Sequence, residues 1–287
     1  MQRHLDVESN LQTALAESAP IFALTAKSVC SGGPVDEKDC SWYHGSWQYL
    51  RRLGLVSTPA WHDAFYTSGL VDVFNVRERN RTLISGTADY SMLGFVLNAA
   101  RLAIAENEIA VIDACRTPLL ACRWYANRVH ASVHLVQADM RCLMTQLHKF
   151  DVICTDAFLT RFNPNDGERV LRTWADLLRP HGRILTTIRV APSDRTPSAQ
   201  EPRQFAKRAA QAWADRGYES VVPCAEIEAR ALEYAHRMTS QPLGTKRQIV
   251  ETLMRWTDVE DVEVCQVEGE LAPTEYLHVT MKGGRLK

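Results

Sequence analysis

The sequence predicts an α/β protein: a mostly parallel sheet, an antiparallel hairpin at its C-terminal end and a helical segment ahead of it. Three observations carry that prediction. Four apolar stretches end on turn or ligand-type residues: Leu83-Ile84-Ser85-Gly86-Thr87-Ala88-Asp89 on a glycine turn, and 109–113, 133–139 and 151–156 each on an aspartate. The steps from Gly86 to Asp113, Asp139 and Asp156 are 27, 26 and 17 residues, each wide enough for a helix and a return strand. After the last of these units, two strand-like runs separated by Gly269 and Pro273 read as a hairpin.

Taken in order, residues 1–75 are helical by pattern. Apolar residues recur at helical spacing over 10–26, and 28–39 is a loop bearing glycine and proline. Residues 40–53 read as a helix with Tyr43, Trp47 and Leu50 on one face and His44, Gln48 and Arg51 beside it. Gly54 ends it, and Pro59 opens another helix through Tyr66. Seven of the 23 aromatic residues fall between Trp42 and Tyr66, more than two short surface helices need, so the segment reads as a helical lid. From Thr82 the rhythm alternates, with strands at 82–86, 109–113, 132–137, 151–155 and 183–190 and helices at 91–104, 116–128, 141–148 and 167–178. Pro180-His181-Gly182 is read as the turn into the fifth strand, and 191–202 as a proline-bearing surface connector. Helical patterns at 203–216, 225–238 and 246–256 precede the hairpin strands at 262–267 and 276–281. The expected organisation is a lid or substrate-binding region at 1–75 and a main domain at 76–287, with a helical insertion at about 191–258.

Composition narrows the function classes. Across 287 residues the formal net charge is −1, which offers no long-range attraction to nucleic acid or anionic lipid. No apolar run approaches the roughly 20 residues that span a bilayer, and the first residues lack a secretion-signal pattern. Eight cysteines are scattered without a CxxC pair, and Cys115, Cys122 and Cys154 lie in apolar segments, so they read as small core residues. The expectation is a reduced, cytoplasmic protein with neither a disulfide framework nor a zinc cluster.

Five βα units followed by a terminal hairpin resemble the class I S-adenosylmethionine-dependent methyltransferases. The resemblance covers about 82–190 and the hairpin; 1–75 and 191–258 lie outside the common core. It implies a Rossmann-like seven-stranded sheet, mostly parallel with a C-terminal antiparallel hairpin, and S-adenosyl-L-methionine as cofactor. It also implies a role for each strand end. Ser85, Gly86, Thr87 and Asp89 stand where the family has its glycine-rich cofactor loop, although only Gly86 is glycine and Ala88 replaces another. A small residue there lets backbone approach the ligand; Asp89 would take the cofactor ammonium or cap the next helix. Asp113, followed by Ala114, would hold both ribose hydroxyls. Asp139 would bond the adenine amino group, with Met140 packed on the ring. Asp156, Ala157 and Phe158 would lie beside the transferred methyl, Phe158 offering a ring face to the sulfonium. A helix cap is the competing reading for Asp113 and Asp139: alone it would win at Asp139, whereas the place of Asp113 after Val111-Ile112 favours the ribose; in register they point to a ligand. The segment lacks the Asn-Pro-Pro-Tyr-type motif that grips a planar base amine, which argues against adenine or cytosine methylation.

The acceptor side falls to the aromatic segment. Trp47, Gln48, Tyr49 and Trp61 are the candidate substrate-binding residues, with His44 and Tyr43 as candidate catalytic groups, His44 because its ordinary pKa is near neutrality. His62 and His236 rank behind it, and Arg51 and Arg52 read as a solvated face. Asp156 lacks an adjacent Asp-Asn partner, so no metal is expected. The leading expectation is metal-independent in-line methyl transfer to a small-molecule acceptor, without nucleic acid or membrane as partner; the sequence sets no oligomeric state. Two alternatives are a methyltransferase-like enzyme that cyclises the cofactor to azetidine-2-carboxylate with release of methylthioadenosine, and an inactive cofactor-binding module. A nicotinamide dehydrogenase fails because the first turn lacks G-x-G-x-x-G.

Overall fold

A computed structural model describes residues 5–30, 39–143, 148–190, 200–238, 243–267 and 274–283. The chain opens with helices α1 (Leu5–Val29), α2 (Ser41–Arg52) and α3 (Asp63–Phe74). Then follow β1 (Arg79–Ser85), α4 (Ser91–Ala103), β2 (Glu106–Asp113), α5 (Arg116–Arg128), β3 (His134–Gln137) and β4 (Phe150–Thr155). Next come α6 (Pro164–Leu177), β5 (Leu178–Arg189), α7 (Gln200–Asp215), α8 (Cys224–Arg237), α9 (Lys246–Leu253), β6 (Asp258–Val267) and β7 (Thr274–Lys282).

The seven strands form one sheet in the order β3-β2-β1-β4-β5-β7-β6. The first five run parallel, and β7 pairs antiparallel with both β5 and β6. This is the expected Rossmann-like sheet with its terminal hairpin; the hairpin turn at 268–273, most of the 191–202 connector and the middle of the expected 141–148 helix lie outside the described residues. Strand order reverses between β1 and β4, the place where open α/β sheets leave a crevice at their carboxyl ends.

Alternation along the strands divides the core. Ile84, Val111, Val152, Cys154 and Leu185 bury on one face with α1, α3, α4 and α5 through Leu11, Leu15, Tyr66, Leu70, Phe74, Phe95 and Tyr125. Leu83, Ile153 and Ile184 bury on the other with α6 and α9 through Val170, Trp174, Ile249 and Leu253. A third cluster joins α2 to α7 and α8 around Trp47, Leu50, Phe205, Trp213 and Tyr234. The helical segments therefore do different jobs. Helices α1 and α3 complete the sheet's own core, α9 covers the opposite face, and α2, α7 and α8 form a layer beside the strand ends.

Local chemistry accounts for the boundaries. Pro164 begins α6, and Asn163 Oδ1 accepts the Asp166 N–H at 3.0 Å as its cap. Thr245 and Gln248 form a reciprocal capping box at the start of α9. The Pro180-His181-Gly182 turn proves to be an irregularity within β5. Leu178 already pairs with Phe150, the register shifts before Arg183 meets Val152, and His181 takes φ +66°. Among the described residues no helix is long and apolar enough to cross a membrane.

Candidate active site

A cavity of about 310 Å³ opens at the carboxyl ends of β1, β2 and β4. Its floor is Gly86, Thr87, Ala88 and Asp89 after β1, Asp113 to Arg116 at the end of β2, and Asp156 to Phe158 after β4. Tyr43, His44 and Trp47 of α2 and Tyr234 of α8 wall it on the other side.

Gly86 makes the turn after β1 at φ +68°, a conformation that suits glycine, and its N–H donates to the Ile112 carbonyl at 2.8 Å. A Cβ there would lie 2.2 Å from the Phe158 ring. Phe158 in turn packs edge-on against Phe162 at 4.8 Å and over Trp174 at 6.4 Å. Asp113 Oδ2 accepts the Thr87 N–H at 3.0 Å and Oδ1 accepts the Cys115 N–H at 2.7 Å, so one carboxylate ties the glycine turn to the start of α5. Burial pushes its pKa up to about 6, with those two N–H groups and His44 opposing. Asp113 borders the cavity, and each of its oxygens can accept a further hydrogen bond. Asp156 Oδ1 accepts from Tyr66 at 3.0 Å and Thr187 at 2.7 Å, which fixes it beneath the cavity.

Other expected site residues lie elsewhere. Ser85, the last residue of β1, points to the opposite face and accepts the Trp174 indole N–H at 2.8 Å. Asp89 borders the cavity, but its oxygens take Arg51 at 2.8 Å and the Ser91 N–H at 2.7 Å, so it ties α2 to the first residue of α4. Asp139 is clasped by Arg141 through both carboxylate oxygens, and Met140 is buried in the core beneath the sheet; Gln137 borders the cavity on that side instead. Gln48 accepts from Ser18 at 2.7 Å, Tyr49 packs edge-on against Trp213 at 5.5 Å, and neither they nor Trp61 line the cavity. His62 sits 3.0 Å from His278, away from the cavity, and His236 is exposed. Arg51 and Arg52 are not a solvated face. Arg51 is buried on Asp89, and Arg52 lies 3.6 Å over the Tyr218 ring.

The aromatic wall is a stack. Tyr43 lies nearly parallel to Tyr234 at 6.0 Å and 5.1 Å from Trp47, while Arg161 sits 5.1 Å over the Tyr43 ring. Burial pushes the Tyr43 phenol up, so at neutral pH it is an uncharged hydrogen-bonding group and no base. His44 Nδ1 is engaged by sulfur, 3.4 Å from Cys30 and 3.5 Å from Cys115. Burial works to lower its pKa, but these thiols outweigh it and push it up to about 10. Cys30 and Cys40, together with His44, draw Cys115 far below the ordinary thiol range. Cys115 is only partly buried, and three of the eight cysteines, Cys30, Cys40 and Cys115, meet in space. Residues that sequence reasoning passed over include Arg161, Arg189, Tyr234 and Tyr276, which border the cavity from separate elements with no shared motif.

Comparison with known proteins agrees with this architecture. Residues 93–182 match the family model of a methyltransferase domain. An S-adenosylmethionine-dependent methyltransferase from Clostridium acetobutylicum ATCC 824 superposes with a TM-score of 0.53 at 10% identity, covering 82% of this chain and 96% of its own. Magnesium protoporphyrin IX methyltransferase from Synechocystis PCC 6803, determined with bound SAM, gives 0.52 at 8% identity, covering 85% and 93%. No curated protein matches in sequence. The fold is that of the class I methyltransferases.

Proposed function

We propose that this methyltransferase-fold chain binds S-adenosyl-L-methionine and methylates a small-molecule acceptor by in-line displacement. The observation that carries the reading is Asp113: a buried carboxylate at the end of β2, beside a positive-φ glycine turn, bordering the cavity with acceptor capacity remaining on each oxygen. That donor set suits a pair of vicinal ribose hydroxyls. Gly86, Thr87 and Ala88 offer backbone to the methionine portion, and Ala114 and Gln137 border the far end of the cavity.

Held by Asp113 and the Gly86 turn, S-adenosylmethionine would supply an activated methyl group to the acceptor's lone pair, the C–S bonding pair staying with sulfur. The chain's part is alignment and exclusion of water. Phe158, Tyr43 and Trp47 present ring surface around the region next to Asp156, and rings stabilise a nearby cation. Tyr43 positions the acceptor as a neutral hydrogen-bonding group. His44 has its Nδ1 turned to sulfur, so the reading needs no imidazole base.

Calorimetric titration with S-adenosylmethionine tests it. Wild-type protein is expected to bind, and Asp113→Asn to lose affinity at least tenfold, about 1.4 kcal/mol or more, with an unchanged circular dichroism spectrum. Equal affinity in the variant overturns the assignment of Asp113. Mass spectrometry of the nucleosides should show S-adenosylhomocysteine only when an acceptor is present; methylthioadenosine formed from the cofactor alone would move the reading to cyclisation.

A further inference from the structure

We propose that Cys30, Cys40, His44 and Cys115 form a tetrahedral zinc site that pins α1 and α2 to the end of β2. The four come from separate places: Cys30 just beyond α1, Cys40 at the N-cap of α2, His44 one turn into that helix, and Cys115 at the N-cap of α5. Their ligand atoms all lie within 4.8 Å of one another.

The spacing fits one ion. Zinc binds sulfur at about 2.3 Å and imidazole nitrogen at about 2.0 Å, which sets tetrahedral edges of roughly 3.8 Å between sulfurs and roughly 3.5 Å between sulfur and nitrogen. Cys115 Sγ stands 3.6 Å from Cys30 Sγ and 3.7 Å from Cys40 Sγ. His44 Nδ1 stands 3.4 Å from Cys30 and 3.5 Å from Cys115. Four edges thus match to about 0.2 Å. These separations are far beyond the ~2.05 Å of a disulfide. Nδ1 has a single proton or a single lone pair, so it serves two thiols only through a bifurcated hydrogen bond, whereas one metal ion engages all the ligand atoms at full strength.

The surroundings suit a thiolate-held metal. The Thr117 hydroxyl lies 3.0 Å from Cys30 Sγ, placed to donate to a ligating thiolate. The His44 N–H donates to the Cys40 carbonyl at 3.2 Å, which stacks those two ligands one helical turn apart. The Cys115 N–H is held by Asp113. A soft, thiolate-rich set selects zinc over magnesium or calcium, and four protein ligands leave no open position, so the site is structural. It fastens the aromatic wall of α2 to the strand end that carries Asp113, pre-forming the cavity from both sides.

The assignment stands apart from methyl transfer, because zinc content and cobalt spectra read the site whether or not any cofactor binds. Protein purified without a metal-binding tag is expected to carry one zinc per chain after dialysis. Cobalt replacement should give the strong visible bands of a tetrahedral ion with thiolate charge transfer. Cys40→Ser keeps a good helix cap and is expected to retain at least tenfold less zinc under a competing chelator. Thr117→Val should lower zinc affinity about 10- to 100-fold, while Cys142→Ser, at an exposed cysteine, should change nothing. Removing the metal should lower the melting temperature, restored by zinc and not by magnesium. Folded protein that takes up neither zinc nor cobalt, a cobalt spectrum without thiolate bands, or unchanged retention in Cys40→Ser would overturn the proposal.

Discussion

At Gly86, backbone geometry and side-chain packing make the same demand. The turn needs φ +68°, and the space a Cβ would fill is held by the Phe158 ring, itself packed against Phe162 and Trp174. Gly86→Ala is expected to cost about 2–4 kcal/mol from left-handed strain plus displacement of the ring. Urea denaturation measures the loss; a change below about 0.5 kcal/mol, the scale of an ordinary surface substitution, would mean the turn relaxes freely. That Gly86, Asp113 and Asp156 border the cavity was legible, because a strand end followed by a helix leaves few places for such residues to go. Ser85 was misread for a reason the sequence also contains. Alternation puts Ser85 on the face of Leu83, toward Trp174, and away from the cavity. Gln48 and Tyr49 follow Trp47 by about 100° and 200° around the helix, so a run of aromatic and polar residues cannot all face one ligand. The cysteine cluster was invisible, since Cys115 is 71 positions from His44 and meets it only through the sheet.

Helix α2 shows how one element joins the site to the scaffold. Tyr43 and Trp47 face the cavity and Tyr234, Gln48 meets Ser18 of α1, and Arg51 reaches Asp89 after β1. The Arg51 and Asp89 side chains are 1% and 2% exposed. Removing one partner of such a buried pair leaves an uncompensated charge, so Arg51→Met is expected to cost about 3–5 kcal/mol. Arg51→Met combined with Asp89→Asn should recover a substantial part of that loss. Chemical denaturation of the two singles and the double closes the cycle, and strict additivity would show that the pair does not act as a unit. Element existence followed from periodicity: the helix expected at 116–128 is α5, and every parallel strand falls where expected. Boundaries failed where tertiary pairing overrode a local signal, as in β5, which runs through Pro180 because Leu178 pairs with Phe150. The paired arginines of α2 failed likewise, because a charge run reads as solvated only until its partner is known to be buried.

For the whole molecule, the question is whether residues 1–75 are a detachable lid. The packing argues for a division within that segment. Leu11, Leu15 and Phe22 of α1 and Tyr66, Leu70 and Phe74 of α3 share one core with Ile84, Val111, Val152 and Leu185 of the sheet. Tyr66 also donates to the Thr155 carbonyl at 2.8 Å and to Asp156, so α3 holds the end of β4 in place. Helix α2 buries its apolar face on α7 and α8 together with Ala19 and Ala23 of α1, so α1 belongs to both layers. A chain starting at residue 76 would keep α4 and α5 on that face but uncover the part of it that α1 and α3 bury, where single Leu→Ala changes already cost about 2–5 kcal/mol. It is expected to keep far-ultraviolet helix and strand signal, lose near-ultraviolet tertiary signal and bind a hydrophobic dye, the behaviour of a collapsed chain without fixed packing. Cooperative unfolding of that fragment with native-like near-ultraviolet dichroism would instead make 1–75 a true appendage. Leu70→Ala in the full chain is the matched control. If α3 belongs to the sheet's core, that single change lowers global stability by about 2–5 kcal/mol; if α3 is only a cover, it loosens the cavity and leaves the unfolding midpoint where it was.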